Sequence, residues 1–208
     1  MTDLADLVER CKAADGLAFR ELFRNHRADV ARLVLRMTGR PGDLEDLVQE
    51  VFLQVYRSIK DFRGQSRFST WLYRLTVNVV LMHRRAARSR PVLQTATDES
   101  FGADSRELPD EKLARARRVA AFYRLLDRMS DKKRAAFVLH ELEGLSPSEI
   151  AKVVGAPVLT VRTRLFYARR ELLEMLRDEP ALEVVARELR EEQSQSESER
   201  PLAEREST

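Results

Sequence analysis

Residues 62–90, FRGQSRFSTWLYRLTVNVVLMHRRAARSR, decide the fold and the function that the sequence predicts. The stretch contains seven arginines and neither Asp nor Glu, so no acid within it offsets the positive charge. From Phe68 onward, apolar residues recur at steps of three and four, which is the pattern of a helix that buries one face. The residues of this predicted apolar face are Phe68, Leu72, Leu75, Val79 and Met82. We expect the other side of the helix to bind a polyanion.

A polar face lies beside the apolar one. At about 100° per residue, it contains Arg67, Arg74, Asn78 and Arg85, and Trp71 lies on its border. Arginine-rich faces are often only solvated, and a border tryptophan is often part of the core, but the absence of acids over this length favours nucleic acid as the partner. An amide in mid-helix lowers helix propensity, and it can instead hydrogen-bond the edge of a base.

Two short runs in this stretch resemble a known family. Residues 61–64, Asp-Phe-Arg-Gly, and residues 69–78, Ser-Thr-Trp-Leu-Tyr-Arg-Leu-Thr-Val-Asn, are similar to the promoter-melting segment of the extracytoplasmic-function (ECF) group of bacterial RNA polymerase sigma factors, in the sigma-70 family. The resemblance implies a sigma factor that binds core RNA polymerase, directs it to specific promoters and assists promoter melting.

The same resemblance implies which residues capture unstacked non-template bases of the minus-ten element. They lie in the loop from residue 62 to residue 69 and on the helix that follows it, and Asn78 is the implied base contact. The full set is Phe62, Arg63, Arg67, Ser69, Trp71, Arg74 and Asn78.

The helix predicted for residues 44–59 has an unusual outer face. On it, Asp46, Gln49 and Glu50 surround an outward-facing Leu53. Acidic groups around an apolar anchor suit docking onto a basic protein surface, although a solvated face with one stray leucine explains the same pattern. The run Asp-Leu-Val-Gln-Glu-Val-Phe that begins at Asp46 resembles the sigma-factor helix that binds the clamp region of the largest polymerase subunit. The resemblance therefore implies core polymerase as the partner of this face.

Whole-chain composition excludes several classes of protein. A chain of 208 residues with 43% hydrophobic residues can form one large or two small domains. Cys11 is the single cysteine, so no intrachain disulfide or cysteine-based metal site is expected. The N-terminus lacks the features of a signal peptide, and no apolar run is long enough to span a membrane. We therefore expect a cytoplasmic protein without direct membrane insertion.

The predicted fold is all-α, with two small helical domains joined by a flexible linker. Residues 1–90 form the N-terminal domain, residues 91–109 form the linker because they lack a sustained period, and residues 110–177 form a four-helix domain that ends in a helix-turn-helix. Residues 178–208 are an acidic extension that is partly disordered. The net charge of +3 hides this division, since residues 1–177 carry +9 and the extension carries −6.

A helix-turn-helix motif is predicted in the second domain. Residues 146–149, Ser-Pro-Ser-Glu, form a capping box with proline at the first helical position. Ala151, Gly155 and Val161 then have the spacing that the motif needs. They supply a small residue where two helices touch, a glycine for the turn and a branched residue that fixes the second helix.

The exposed side of the second helix in this motif suits a DNA major groove. Arginine can hydrogen-bond guanine, and threonine or an outward aromatic ring can contact the thymine methyl group, although the aromatic residues pack on a neighbouring helix in the alternative interpretation. Residues 161–164, Val-Arg-Thr-Arg, resemble the Val-Arg-Ser-Arg run with which the family reads the minus-thirty-five element, and Leu159 departs from the glycine that is usual there. The predicted base-reading residues are Arg162, Thr163, Phe166 and Tyr167. The predicted phosphate-binding residues are Arg164, Arg169 and Arg170.

Two other classes of function were compared with this one. An enzyme is disfavoured, because the three histidines lie far apart in sequence and no phosphate-binding loop, nucleophile elbow or metal-ligand spacing is present; we expect no cofactor and no metal. A stand-alone helix-turn-helix regulator explains the second domain alone. The expected partners are core RNA polymerase, promoter DNA as duplex and as unstacked non-template strand, and, by the resemblance, an anti-sigma factor.

Overall fold

The structure is a computed structural model that describes residues 3–89 and 109–182. All regular structure in these ranges is helical, which confirms the all-α prediction. The α-helices in these ranges are α1 Leu4–Lys12, α2 Gly16–Thr38, α3 Leu44–Ser58, α4 Phe68–Ser89, α5 Pro109–Arg128, α6 Asp131–Phe137, α7 Pro147–Val154 and α8 Val158–Leu176. A π-helical turn, Val138–Leu142, continues α6, and 3-10 turns lie at Ile59–Asp61 and Pro180–Leu182.

Helix α2 lies at the centre of the N-terminal bundle, where it packs against α1, α3 and α4. Its first turn is closed by Asp15, whose side chain accepts hydrogen bonds from the amides of Leu17 and Ala18. Its last turn ends at Gly39, which adopts the left-handed conformation that glycine takes without strain. Between these caps, one face of α2 is fully buried at Leu22, Val30, Leu33, Val34 and Met37.

The buried face of α4 differs from the predicted one at its C-terminal end. Phe68, Leu72 and Val79 are buried as expected, but Met82 is 65% exposed. The core side of the helix extends instead through Thr76, Val77 and Val80, all nearly inaccessible. The buried face of α4 is thus centred near Thr76. The predicted apolar residue Met82 lies at the edge of this face, next to Asn78.

Helices α7 and α8 form the helix-turn-helix. The capping box is present: the Glu149 amide donates to Ser146 Oγ at 3.3 Å, and the Ser146 amide donates to Glu149 Oε2 at 3.0 Å. Gly155 ends α7 with a left-handed φ of 63°, and its amide donates to the Ala151 carbonyl. Val161 on α8 is fully buried. The capping box, Gly155 and Val161, all visible in the sequence, thus determine where the helix-turn-helix forms.

Contacts divide the described chain into two compact units. Residues 3–89 and 130–168 form the first, and residues 109–129 and 169–182 form the second. In the second unit, α5 packs against the turn Pro180–Leu182, and Arg124 pairs with Glu179 at 3.5 Å. The predicted linker lies outside the described residues except for Pro109, as does most of the acidic extension. The domain boundaries at residues 90, 109 and 177 therefore remain predictions.

Within residues 3–89 and 109–182, no helix combines the length and the apolar content that a membrane span needs.

We predict that Gly155→Ala lowers the free energy of unfolding by about 1–2 kcal/mol, the cost of a left-handed conformation at a residue with a Cβ atom. No atom lies within 4 Å of the added Cβ, so the loss comes from the backbone alone. Gly16→Ala is the matched control, because Gly16 also has open space and lies in a helix at an ordinary φ. Urea unfolding followed by circular dichroism measures both, and an equal effect of the two substitutions contradicts the prediction.

Candidate polymerase and nucleic-acid interfaces

The first candidate interface is the docking surface on α3, formed by Asp46, Gln49, Glu50 and Leu53. The spacing of these residues puts them on the side of α3 that faces solvent, and Asp46, Gln49 and Leu53 are exposed. Glu50 is half-buried, and Gln54 donates a hydrogen bond to its Oε1 at 2.8 Å. Leu53 is 48% exposed, so the centre of this acidic patch is apolar.

Tyr56 extends the docking surface by one helical turn. It lies three residues after Leu53, is 57% exposed, and stacks edge to face on Phe19 of α2 with ring centroids 5.2 Å apart. The sequence analysis did not select it, although its spacing from Leu53 was a visible signal. The apolar part of this surface therefore consists of a leucine and a tyrosine in sequence-adjacent turns.

The second candidate interface is the minus-ten surface, formed by Phe62, Arg63, Arg67, Ser69, Trp71, Arg74 and Asn78. Its loop is held by an aromatic cluster: Phe62 contacts Phe68 and Trp71 with centroids 5.7 and 5.2 Å apart, and His26 of α2 stacks on Phe68 at 5.2 Å. Burial in this cluster lowers the pKa of His26. Phe62 and Trp71 are both half-buried, so each has one side in the cluster and one side toward solvent.

A cleft of about 330 Å³ opens beside this loop. Its walls come from α1 and from the residues that precede α4, and the Lys12 ammonium lies over the Phe62 ring at 5.9 Å from the centroid. The cleft combines aromatic surface with the cations of Lys12 and Arg63 and with the carboxylate of Glu9, which pairs with Lys12 at 2.8 Å. The sequence analysis assigned no role to α1, because the short helix carries no signal that connects it to this loop.

The polar side of the minus-ten surface faces solvent. Its residues Arg67, Ser69, Arg74 and Asn78 are all exposed. Arg74 donates from Nε and Nη2 to the backbone carbonyl of Lys152 on α7, at 3.2 and 2.5 Å. Hydrogen bonds from Ser146, with a smaller contribution from the charge of Arg67, lower the pKa of Glu149. Helix α7 therefore contacts this face through Arg74.

A buried carboxylate at Glu143 joins the segment before α7 to the N-terminal bundle. Its side chain is 2% exposed and contacts Arg36 Nη1 at 2.9 Å and Arg32 Nε at 3.4 Å, both on α2. The Tyr73 hydroxyl on α4 donates to it at 3.2 Å, and Arg36 also donates to the carbonyl of Leu142. Burial, and then the charge of Glu143, raise the pKa of Tyr73.

A second acid, Asp131 at the start of α6, pairs with the end of α4. Arg84 Nε lies 3.0 Å from its Oδ1, and Arg88 contributes contacts at 3.1 Å. The Arg84 and Asp131 side chains are 10% and 15% exposed, so this pair is largely shielded from water. The sequence analysis identified neither Asp131 nor Glu143, because only the tertiary fold reveals their partners.

The third candidate interface is the recognition surface on α8, formed by Arg162, Thr163, Phe166 and Tyr167. All four are exposed. Phe166 and Tyr167, 62% and 45% exposed, stack edge to face on each other with ring centroids 5.3 Å apart. Thr163 Oγ1 donates to the carbonyl of Leu159 at 3.0 Å, and the Leu159 side chain is 75% exposed.

The three predicted phosphate ligands differ in exposure. Arg164 is half-buried, whereas Arg169 and Arg170 are exposed. Arg170 lies 3.4 Å from Glu174 one turn further along the same helix. Such an exposed pair contributes at most about 1 kcal/mol.

No group of three or more potential metal ligands comes together among the described residues. Cys11 is buried, and burial raises the pKa of its thiol. Such a thiol does not readily form the thiolate that reacts as a nucleophile.

Comparison with known proteins identifies the family. Residues 22–90 match the model of sigma-70 region 2, and residues 120–172 match the model of sigma-70 region 4. The ECF RNA polymerase sigma-E factor of Haemophilus influenzae is 36% identical over 181 residues, which cover 84% of this chain and 94% of that protein. The chain belongs to the ECF family of RNA polymerase sigma factors. The sigma-E factor of Escherichia coli K12 is 37% identical over 80% of this chain and 90% of its own length.

Solved structures of sigma factors share the fold. CnrH, solved in complex with the cytosolic domain of CnrY, superposes with a TM-score of 0.60 at 24% identity and covers 83% of this chain and 96% of its own. The sigma factor RpoE of Bartonella quintana, solved with the anti-sigma factor NepR, gives 0.58 at 20% identity, with coverage of 76% and 96%. These two structures support the all-α fold of this sigma factor.

We predict that Phe62→Ala shifts the fluorescence emission of Trp71 to the red. Trp71 is the single tryptophan of the chain, and it loses the ring that shields one of its sides. Phe166→Ala is the control, because it removes an equal ring from the exposed surface of α8. Emission spectra and quenching by acrylamide measure the effect. An unchanged spectrum in Phe62→Ala means that the cluster does not hold the loop in solution.

Proposed function

We propose that this sigma factor directs RNA polymerase to promoters by using its three surfaces for three separate contacts. The docking surface binds the clamp region of the largest polymerase subunit, the recognition surface binds the minus-thirty-five element as duplex, and the minus-ten surface binds unstacked bases of the non-template strand. The observation that carries the proposal is the position of Asn78, exposed in mid-helix on an acid-free α4. A polar amide there contributes nothing to the core and is available to a base edge.

The energetics of strand separation require the polymerase. Opening about ten base pairs costs on the order of 14 kcal/mol, at roughly 1.4 kcal/mol per step. Each unstacked base that an aromatic or guanidinium group captures returns about 1–3 kcal/mol. One helix and one loop contact only a few bases. The rest of the free energy of strand separation therefore comes from an enzyme that binds the duplex on both sides of the opened segment. The protein is thus an initiation factor and not itself an enzyme.

At the minus-ten element, the aromatic cluster and the cations make different contacts with the DNA. The outward sides of Phe62 and Trp71 offer stacking surface, and the cleft beside them has room for an extruded base between Lys12 and Arg63. Asn78 supplies the directional hydrogen bonds. Arg67 and Arg74 pair with backbone phosphates, which gives affinity without sequence preference.

At the minus-thirty-five element, α8 enters the major groove with its N-terminal half. Arg162 donates two hydrogen bonds to one guanine, and the Phe166 and Tyr167 rings lie against sugars and thymine methyl groups. Arg164, Arg169 and Arg170 bind phosphates and set the register of the helix. Leu159 adds a second exposed apolar group one turn before Arg162, where it lies close to the groove wall.

An anti-sigma factor is the further partner that we propose. The Bartonella quintana RpoE was solved in complex with the anti-sigma factor NepR, and CnrH was solved in complex with the cytosolic domain of CnrY. The exposed Leu53 and Tyr56 offer an apolar site of the kind that a regulator can cover. Occupation of this site excludes the polymerase clamp, because both partners require the same face of α3.

We predict that Leu53→Ala weakens binding to core polymerase about tenfold, since a central apolar anchor is commonly worth about 1–2 kcal/mol. Leu113→Ala is the matched control, because Leu113 is 51% exposed on α5 and lies outside all three surfaces. Fluorescence anisotropy of labelled protein titrated with core enzyme measures both. Wild-type protein that neither binds core enzyme nor supports promoter-specific transcription overturns the proposal in favour of a stand-alone regulator.

We predict that Asn78→Ala and Arg162→Ala impair different steps. Asn78→Ala reduces promoter opening, measured by permanganate reactivity of unpaired thymines, while binding of the holoenzyme to the upstream duplex persists. Arg162→Ala costs about 1–3 kcal/mol of duplex binding and relaxes selection at one base pair. Equal loss of opening and upstream binding in Asn78→Ala contradicts this division, and a uniform loss over all sequences in Arg162→Ala makes it a phosphate ligand.

A further inference from the structure

The most exposed large apolar side chain of α8 is that of Leu159, the second residue of the helix. At about 100° per residue, Leu159 and Phe166 lie within about 20° of each other around the helix axis. They lie on the side opposite the fully buried Val161 and Ala168, and they are 75% and 62% exposed. The centre of the recognition surface is therefore apolar, although arginines surround it.

The Leu159 side chain contributes little to the fold. A side chain that is 75% exposed has few contacts to lose when it is shortened, and leucine and alanine have similar helix propensity. Glycine, which is usual at this position in the family, has no side chain that reaches a partner. The exposed carbon surface of Leu159 is thus available to a molecule outside the chain.

The charges around Leu159 favour DNA over a protein as that molecule. Residues 157–170 contain four arginines and neither Asp nor Glu. The exposed Leu53 of the docking surface has the opposite surroundings, because Asp46 and Glu50 lie beside it. An apolar centre within positive charge is complementary to a polyanion that presents apolar groups in its groove.

The position of Leu159 in the helix-turn-helix indicates which part of the DNA it contacts. In this motif, the N-terminal residues of the second helix contact base edges in the major groove. The apolar group that a base presents there is the C5-methyl group of thymine. Leucine has no donor or acceptor, so it gains contact area from a methyl group and leaves a polar base edge without a partner. The same side chain favours thymine and disfavours the other bases.

We propose that Leu159 selects one thymine of the minus-thirty-five duplex by contact with its 5-methyl group. The inference rests on the proposed binding of α8 in the major groove. Leu159 and Phe166 are seven residues apart, about 10 Å along the helix at 1.5 Å per residue. Consecutive base pairs are separated by about 3.4 Å along the duplex. The two apolar side chains therefore contact different base pairs.

Exchange of single methyl groups on the DNA tests this assignment without any change in charge. Holoenzyme is assembled from core RNA polymerase and the full chain, and competition binding is measured on a promoter that it transcribes. Each thymine of the minus-thirty-five element is replaced in turn by uracil, which lacks the methyl group, and each cytosine by 5-methylcytosine, which gains it. We expect a position at which the methyl group strengthens wild-type binding about three- to tenfold, the effect of burying one methyl-sized group. Leu159→Ala removes the difference at that position.

Leu17→Ala is the matched control, because Leu17 is also the second residue of its helix, is 69% exposed and lies outside the three surfaces. We expect it to keep the wild-type profile. Leu159→Asn preserves the approximate shape of the side chain without its apolar character, so it loses the methyl effect, whereas Leu159→Met retains it. Phe166→Ala loses a methyl effect at a different position. Circular dichroism checks that each variant is folded.

Three results overturn the inference. They are a wild-type methyl profile in Leu159→Ala, an equal loss of affinity for all probes in that variant, and loss at the same position in Leu159→Ala and Phe166→Ala. Wild-type holoenzyme that binds the promoter without any methyl effect overturns this inference alone. Wild-type holoenzyme that binds no promoter overturns the proposed function as well, so the two failures are distinguishable.

Discussion

The rest of the structure depends on one constraint on α4: the helix must be anchored in the core along one side while it carries positive charge, without local compensation, along another. The anchoring side is nearly inaccessible at Phe68, Leu72 and Val80, and the bundle around α2 provides its partners. An acid-free helix gains nothing from pairs with its own neighbours at three or four residues' distance. Partners for its charges therefore come from other parts of the chain, as Asp131 does for Arg84 and Arg88.

The local pattern of the sequence was sufficient to predict most of the fold. Periodicity placed the buried residues of α3, and the Ser146 capping box, Gly155 and Val161 identified the helix-turn-helix, because each of these signals acts within a few residues. The family resemblance found in two blocks is confirmed by matches to sigma-70 regions 2 and 4. The roles of single residues on the three surfaces follow from that resemblance and from exposure, and they remain proposals.

Tertiary contacts were beyond the reach of the sequence. Glu143 and Arg36 are 107 positions apart, and Glu143 precedes a glycine in what looked like an ordinary helix end. Periodicity also misjudged Met82, since a small rotation of the buried sector toward Thr76 leaves a large apolar side chain in solvent. Tyr56 has the spacing of the outward-facing Leu53, but only the tertiary structure shows that its ring stacks on Phe19 of α2 at the surface. In each case, a helix distant in sequence determines whether the side chain is buried. Local sequence patterns carry no information about that helix.

The hydroxyl of Thr163 has a consequence for the chemistry of α8. Its single hydrogen is committed to the carbonyl of Leu159, so the oxygen retains only lone pairs for a ligand. Amino groups of adenine or cytosine satisfy those lone pairs, whereas the acceptor atoms of guanine receive nothing from them. The γ-methyl group, which a serine lacks, adds carbon surface beside the exposed Leu159 and Phe166. In the proposed contact with duplex DNA, the bond to Leu159 removes hydrogen-bond donation at this position, and the methyl group adds apolar surface that complements the 5-methyl group of thymine.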